Sequence, residues 1–172
     1  QEADIAALAD LSAPDDMRAQ AELTLRQARY HLVTDSFPRA AEAAERAAEL
    51  AHSVAWYEGE MIARRIHGAA LIPLAHYDAA RTQLGQALDL ARSLGLAGTE
   101  DDCLRDLGLI AYHQGDYATA RGYYEQALAI DQAIGDRRGE SATLVRLGAV
   151  SRELGDSATA LARACVDTMP VV

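Results

Sequence analysis

The sequence predicts an all-α chain of stacked helix pairs, and three observations carry that prediction. Residue types recur at a spacing of 40: Ala28, Gly68, Gly108 and Gly148 fall on one column, and Ala40, Ala80, Ala120 and Ala160 on a second. Half of the 172 residues are apolar but only 5% are aromatic. Alanine supplies much of the apolar half, which suits closely approaching helices better than a sheet core of branched and aromatic residues. Helix-forming runs are also punctuated at fixed places, as at Gly115-Asp116 inside "LGLIAYHQGDYATARGYYEQALAI", residues 107–130.

Taken in order, the chain opens on "AALAD" at residues 6–10, where Ala7-Leu8 share columns with Ala87-Leu88 and Ala127-Leu128. Residues 1–11 therefore read as the second helix of a preceding unit. Four units follow, at 21–60, 61–100, 101–140 and 141–172, the last incomplete. In the third unit a first helix is expected over about 101–114 and a second over about 117–133. Gly115 accepts the positive φ of a helix end, and Asp116 can cap the amides of the helix that follows. Gly95 and Gly135, one period apart, are placed to end the second helices. Neither helix of a pair can bury its apolar stripe alone, so the units must stack.

The other columns assign faces. Phe37, Tyr77, Tyr117 and Ser157 mark the turn; Ala47, Ala87 and Ala127, then Leu50, Leu90 and Ile130, recur along the second helix. Small residues at the Gly108 and Ala120 columns let the two helices of a unit approach closely. Tyr117, Tyr124, Leu128 and Ile130 are then expected to fill the space between layers.

Composition and motifs exclude several kinds of work. A formal charge of -10, with no basic run, disfavours phosphate backbones, so nucleic acid is not an expected partner. All 16 basic residues are Arg, and Lys and Asn are absent, a bias that fits a GC-rich bacterial coding background. No run of 18 apolar residues exists, and the acidic start is not a signal peptide. No membrane association is expected, and two cysteines, Cys103 and Cys165, fit a reduced cytoplasmic setting. His31, His52, His67, His76 and His113 have no metal-binding spacing, and no GxSxG, Walker-type or GxGxxG loop occurs. No metal, no cofactor and no catalysis are expected. His31, His67 and Cys103 read as packing residues. The missing initial Met and the helix-breaking "DTMPVV" predict a piece of a longer array, or ends capped by a neighbouring copy.

The third unit, "LRDLGLIAYHQGDYATARGYYEQALAID", resembles the tetratricopeptide repeat. Leu104 stands at the usual Trp position, Leu107-Gly108 at the Leu-Gly pair, Ala120 and Ala127 at the two small positions, and Tyr124 at the bulky aromatic. The resemblance covers nearly the whole chain and departs from the family in three ways. The period is 40 instead of the usual 34 or so, with Gln132 in place of the terminal Pro. Gln27 and His67 replace the expected Leu in the first two units, and Ser157, Ala164 and Asp167 blur the fourth. The spacing and "GDRRGE" look like the long-period variety found in large bacterial signalling regulators. The fold this implies is a right-handed α-α superhelix of about four units plus an N-terminal half unit.

The resemblance also implies that the first helices line a concave groove. Carried over, its residues are Glu22, Leu25, Arg26 and Arg29; Ile62, Arg65, Ile66 and Ala69; Asp102, Arg105, Asp106, Leu109, Tyr112 and His113; then Val145, Arg146, Arg152 and Glu153. Arg recurs in every unit, so the groove is expected to be neutral to slightly basic and to steer acidic segments toward it. The competing reading is a solvated helical face with intrahelical pairs such as Glu22 with Arg26. An exposed Arg-carboxylate pair contributes about 0 to 1 kcal/mol, whereas micromolar binding needs about 8 kcal/mol. Leu25, Ile62, Ile66 and Tyr112 would have to supply most of it.

The function expected is a non-catalytic scaffold that binds an acidic protein or peptide, within a larger bacterial signalling or transcription regulator. Two alternatives are a ligand-gated sensor for a small molecule or peptide, and a homo-oligomerisation module. Members of the family that clamp a terminal carboxylate with Lys and Asn are excluded as a guide, because this chain has neither residue.

Overall fold

A computed structural model describes residues 17–155, and every element in that span is helical. In chain order the helices are α1 (Met17–Val33), α2 (Phe37–Ser53), α3 (Tyr57–Leu71), α4 (Tyr77–Leu94), α5 (Ala97–His113), α6 (Tyr117–Ile134) and α7 (Arg137–Glu153). Three antiparallel hairpins, α1/α2, α3/α4 and α5/α6, precede α7, the first helix of a fourth unit. The expected second helix over residues 1–11, the second helix of the fourth unit with Ala160, and Cys165 lie outside the described residues.

Each helix packs on its neighbour in sequence, and α1 also touches α3, as α3 touches α5. The first helices thus form one continuous layer, as the concave side of a helical-pair superhelix requires.

The turns explain the period. Two positions per unit adopt the left-handed conformation: Asp35, Ala75, Gly115 and Gly155 between or after paired helices, with φ of 55°, 59°, 78° and 62°, and Ala55, Gly95 and Gly135 between units, with φ of 55°, 68° and 73°. This conformation frees the chain to reverse while the helix's last carbonyls still find donors. Gly95 donates its amide to Ala91 and Arg92, and Gly135 to Asp131. Asp116 caps α6 by accepting from the Thr119 amide at 3.1 Å. Asp136 caps α7 by accepting from the Arg138 and Gly139 amides, both at 3.0 Å.

Helix α5 starts at Ala97, four residues before the expected 101. The cause is Gly95: once it ends α4, Leu96 is already the N-cap, and its carbonyl accepts from Thr99 and Glu100 at 3.0 Å each. A polar bond crosses each such inter-unit turn. His52 Nδ1 meets Glu60 at 3.0 Å, Arg92 Nε donates to Glu100 at 2.8 Å, and Gln132 Nε2 donates to Glu140 at 3.3 Å. Burial raises the Glu60 carboxyl's pKa, but hydrogen bonds from His52 and Arg64 outweigh it and leave the group below its ordinary value.

Close approach within a hairpin depends on a matched pair of columns sixteen residues apart. A Cβ on Gly68 would lie 2.6 Å from Leu84 Cγ, and one on Gly108 would lie 2.6 Å from Tyr124 Cε1. In the first unit both members are small, Ala28 and Ala44, and both are fully buried. Bulk on the second helix therefore follows its loss on the first. Tyr124 lies over Gly108 inside its own hairpin and, as expected, also fills the space to the next layer, where it joins Val150 of α7 in one cluster with Ala111 and Ala120. Its ring takes the space the missing Cβ leaves. Ile130 does pack between layers, against the cluster that holds Leu84, Leu88, Leu104 and Leu107.

Candidate functional site

The first helices α1, α3, α5 and α7 carry the sequence-derived groove residues, but burial divides them sharply. Leu25 and Ile66 are only 5% and 1% exposed, so both belong to the core cluster with Ala28 and Ala44 and offer a partner almost nothing. Ile62, Ala69, Leu109 and Tyr112 are half-buried, and Val145 is exposed. The apolar surface available to a ligand is thus smaller than the column pattern suggests.

The arginines separate in the same way. Arg26 and Arg29 on α1 are exposed, and neither makes an ion pair among the described residues. Glu22 pairs with Arg18 at 2.9 Å, in place of the expected Arg26. Arg18 is also held over the Trp56 ring, 3.9 Å from its centre, which ties α1 to the turn between the first two hairpins and fixes the direction in which Glu22 finds its cation.

Further along, the arginines are internally occupied. Arg65 reaches from α3 to Asp102 on α5, with an N to O distance of 3.6 Å. Arg105 contacts Asp102 at 2.6 Å, Asp101 at 2.9 Å and, on α6, Asp131 at 3.7 Å. Asp106 is pushed up to about 6, chiefly by burial, with Arg65 opposing, Asp102 reinforcing, and Arg146 and Arg105 opposing more weakly. Burial likewise raises the Tyr124 hydroxyl, which Arg146 engages from α7. Arg65 therefore links the second unit to the third through Asp102, Arg105 is held by carboxylates of its own hairpin, and Arg146 links α7 to the third hairpin through Tyr124.

Tyr112 and His113 stand at the turn end of α5. His113 stacks on Tyr77 of the preceding hairpin, with ring centres 6.0 Å apart and planes at 16°. Tyr112 packs at 5.4 Å against Tyr117, which opens α6. Arg152 and Glu153 are exposed at the end of α7.

The residues that columns alone overlooked are Asp101, Asp131 and Thr143, all buried. The signal was present as a break in the repeat: Asp101 follows Ala21 and Met61 on its column, and Asp131 follows Ala51 and Ala91.

Two open clefts, of about 330 Å³ and 370 Å³, draw their walls from first and second helices together. The first is lined by His52, Tyr57, Glu60, Arg64 and Gln86, the second by Thr24, Gln27, His31, Arg39 and Arg46. Among the described residues no group of His, Cys, Asp and Glu is arranged to hold a metal ion. Cys103 is fully buried, and burial pushes its thiol up to about 12, which makes it a poor nucleophile near neutral pH. No described helix is long and apolar enough to cross a membrane.

Comparison with known proteins agrees with this architecture. Residues 102–165 match the family model described as Tetratricopeptide repeat. No curated protein sequence matches the chain. Among solved structures, the apo form of RapI aligns with a TM-score of 0.77 at 16% identity, over 91% of this chain and 56% of its own. BtubC (BKLC) from P. vanneervenii aligns with a TM-score of 0.77 at 20% identity, over 94% of this chain and 70% of its own. A Rap protein complexed with Competence and Sporulation Factor gives 0.64 at 21% identity, over 84% and 46%. This chain thus spans about half the length of the two Rap structures, and at these identities the likeness establishes the fold.

Proposed function

We propose that this chain, which matches the tetratricopeptide repeat over residues 102–165, is a non-catalytic protein-binding scaffold whose first helices hold an extended or helical segment of an acidic partner. The observation that carries the reading is the continuous inner layer in which α1, α3 and α5 touch in succession, with Arg26 and Arg29 exposed one turn apart at its beginning. A preformed surface lowers the ordering cost of binding. Ile62, Leu109 and Tyr112 would provide its apolar contacts, and Arg26 and Arg29 would set orientation and association rate rather than most of the affinity.

A second reading is favoured by one neighbour. The solved Rap structure at 21% identity is a complex with Competence and Sporulation Factor, which supports a sensor in which a bound ligand changes the curvature of the array inside a larger regulator. Homo-oligomerisation is a third, and it would make the scattering mass rise with protein concentration.

The test is affinity capture from a bacterial lysate with the native chain and with an Arg26→Glu, Arg29→Glu variant that melts normally, followed by titration of the captured protein at two salt concentrations. The scaffold reading expects a protein retained by the native chain, with binding weakened by the double substitution and by salt. Equal retention by both chains would overturn the role given to the α1 arginines.

A further inference from the structure

The third hairpin differs from the two before it at one buried seam. Where α2 meets α1 and α3, the columns hold Ala51, Ala21 and Ala63; where α4 meets α3 and α5, they hold Ala91, Met61 and Cys103. Where α6 meets α5 and α7, the same columns hold Asp131, Asp101 and Thr143. All three residues are at most 1% exposed, so an apolar contact has been replaced by two carboxyl groups and a hydroxyl.

Donors at this seam fall short of acceptors. Thr143 Oγ1 donates to Asp131 Oδ2 at 2.9 Å. Arg105 Nη2 serves Asp101 Oδ2 at 2.9 Å, but the same nitrogen also serves Asp102 Oδ1 at 2.6 Å, and Arg105 Nη1 stays 3.7 Å from Asp131 Oδ1. One buried oxygen on each carboxyl, Asp101 Oδ1 and Asp131 Oδ1, has no hydrogen-bond donor. Gly139 closes the site from α7, where a Cβ would collide with Asp131 Oδ1, so no side chain from that direction can supply one. Two buried carboxyls with one shared guanidinium are satisfied when a proton lies between them.

We propose that Asp101 and Asp131 share a proton in the folded array, and that gain or loss of this proton sets how firmly α7 is held against the third hairpin.

The groups facing the pair are few. Arg105 and Asp102 come from α5, and Arg65 from α3 acts through Asp102. Thr143 comes from α7, and Asp136 from the turn before it points at Gly139. Arg92 on α4 is engaged by Glu100. Burial, above all, pushes Asp101 up to about 7 from the ordinary 3.8; Arg105 opposes this, while Asp131 and Asp102 reinforce it. A carboxyl raised in the folded state takes up a proton on folding. Its support is complete below about pH 4, declines as pH rises toward 7, and stays lost above that. Because α7 carries Val145, Arg146 and Arg152, the end of the inner layer loosens as the solution passes from mildly acidic to neutral. The inference stands whatever partner the layer holds.

The test is hydrogen exchange of the α7 amides between pH 5 and 8, corrected for intrinsic exchange rates, on the native chain and on Asp101→Asn, which fixes a neutral side chain at the seam. Amides of α1 serve as the internal reference. In the native chain the α7 opening constant should rise by roughly tenfold per pH unit from pH 5, levelling near 7; in Asp101→Asn it should stay flat. A double variant, Asp101→Met with Asp131→Ala, copies the preceding seam and should also be flat, which preserves the test if the single variant fails to fold. A flat native profile, or variants that follow the native rise, would overturn the proposal.

Discussion

Gly108→Ala and Gly85→Ala place the same methyl group in the middle of two helices of this array and should change stability in opposite directions. Alanine in a helix interior is favoured over glycine by about 0.8 to 1 kcal/mol through propensity alone. At Gly85 in α4, an added Cβ meets nothing within 4 Å, so the full gain should be realised. At Gly108 it would lie 2.6 Å from Tyr124 Cε1, 2.9 Å from Cδ1 and 3.0 Å from Cζ. An unstrained carbon pair sits about 3.5 to 4 Å apart, so the ring would have to retreat by about 1 Å. Tyr124 is 1% exposed and locked among Ala111, Ala120 and Val150, which leaves it no direction of easy retreat. Overpacking costs of about 1 to 3 kcal/mol then exceed the propensity gain, leaving Gly108→Ala destabilised by about 0 to 2 kcal/mol. Thermal and urea melts followed by circular dichroism would place the two variants on opposite sides of the native chain. In a Tyr124→Ala background, which together with Gly108→Ala copies the Ala28 and Ala44 pair, the loss from Gly108→Ala should shrink, read as a coupling in the double-mutant cycle. If Gly108→Ala were as stabilising as Gly85→Ala, the matched-column account of hairpin packing would fail.

Two further outcomes follow from the same packing. Ala55 and Ala75 hold left-handed φ values of 55° and 59° where later units have glycine; replacing each with Gly should raise the melting midpoint by the equivalent of about 0.5 to 1 kcal/mol, since the steric penalty of a Cβ exceeds the entropic cost of Gly there. Ala120→Leu, in a site with no exposure, should cost roughly 1 to 3 kcal/mol, and an unchanged melt would contradict the close approach of α5 and α6.

Most of the architecture was legible in the chain because it is a repetition of local rules. Gly95, Gly115 and Gly135 end helices wherever they stand, since only a residue without a Cβ takes positive φ cheaply. Asp116 caps because its carboxyl reaches the amide three residues on. The 40-residue spacing of small residues established paired, stacked helices before any coordinate was known. Local rules also explain the small discrepancy at α5, whose start follows directly from Gly95 and so could have been set at Ala97.

The inner layer was less legible, because exposure and ion pairing depend on which neighbour arrives in space. A column of apolar residues at helical spacing does not distinguish Ile66, sealed in the core, from Ile62, which is partly open. Nor does a recurring Arg reveal whether it faces solvent, as Arg26 and Arg29 do, binds the next unit, as Arg65 does through Asp102, or is held inside its own hairpin, as Arg105 is. Glu22 had two candidate cations four residues away on either side, and the position of Trp56 holds Arg18 on that side. The sequence by itself determined the helices, their turns and their order of stacking, since these follow from backbone preferences and periodic apolar faces. The tertiary structure alone decided which charges are spent inside the array, because a carboxylate such as Asp131 acquires its partners from α5 and α7 only when three helices close around it.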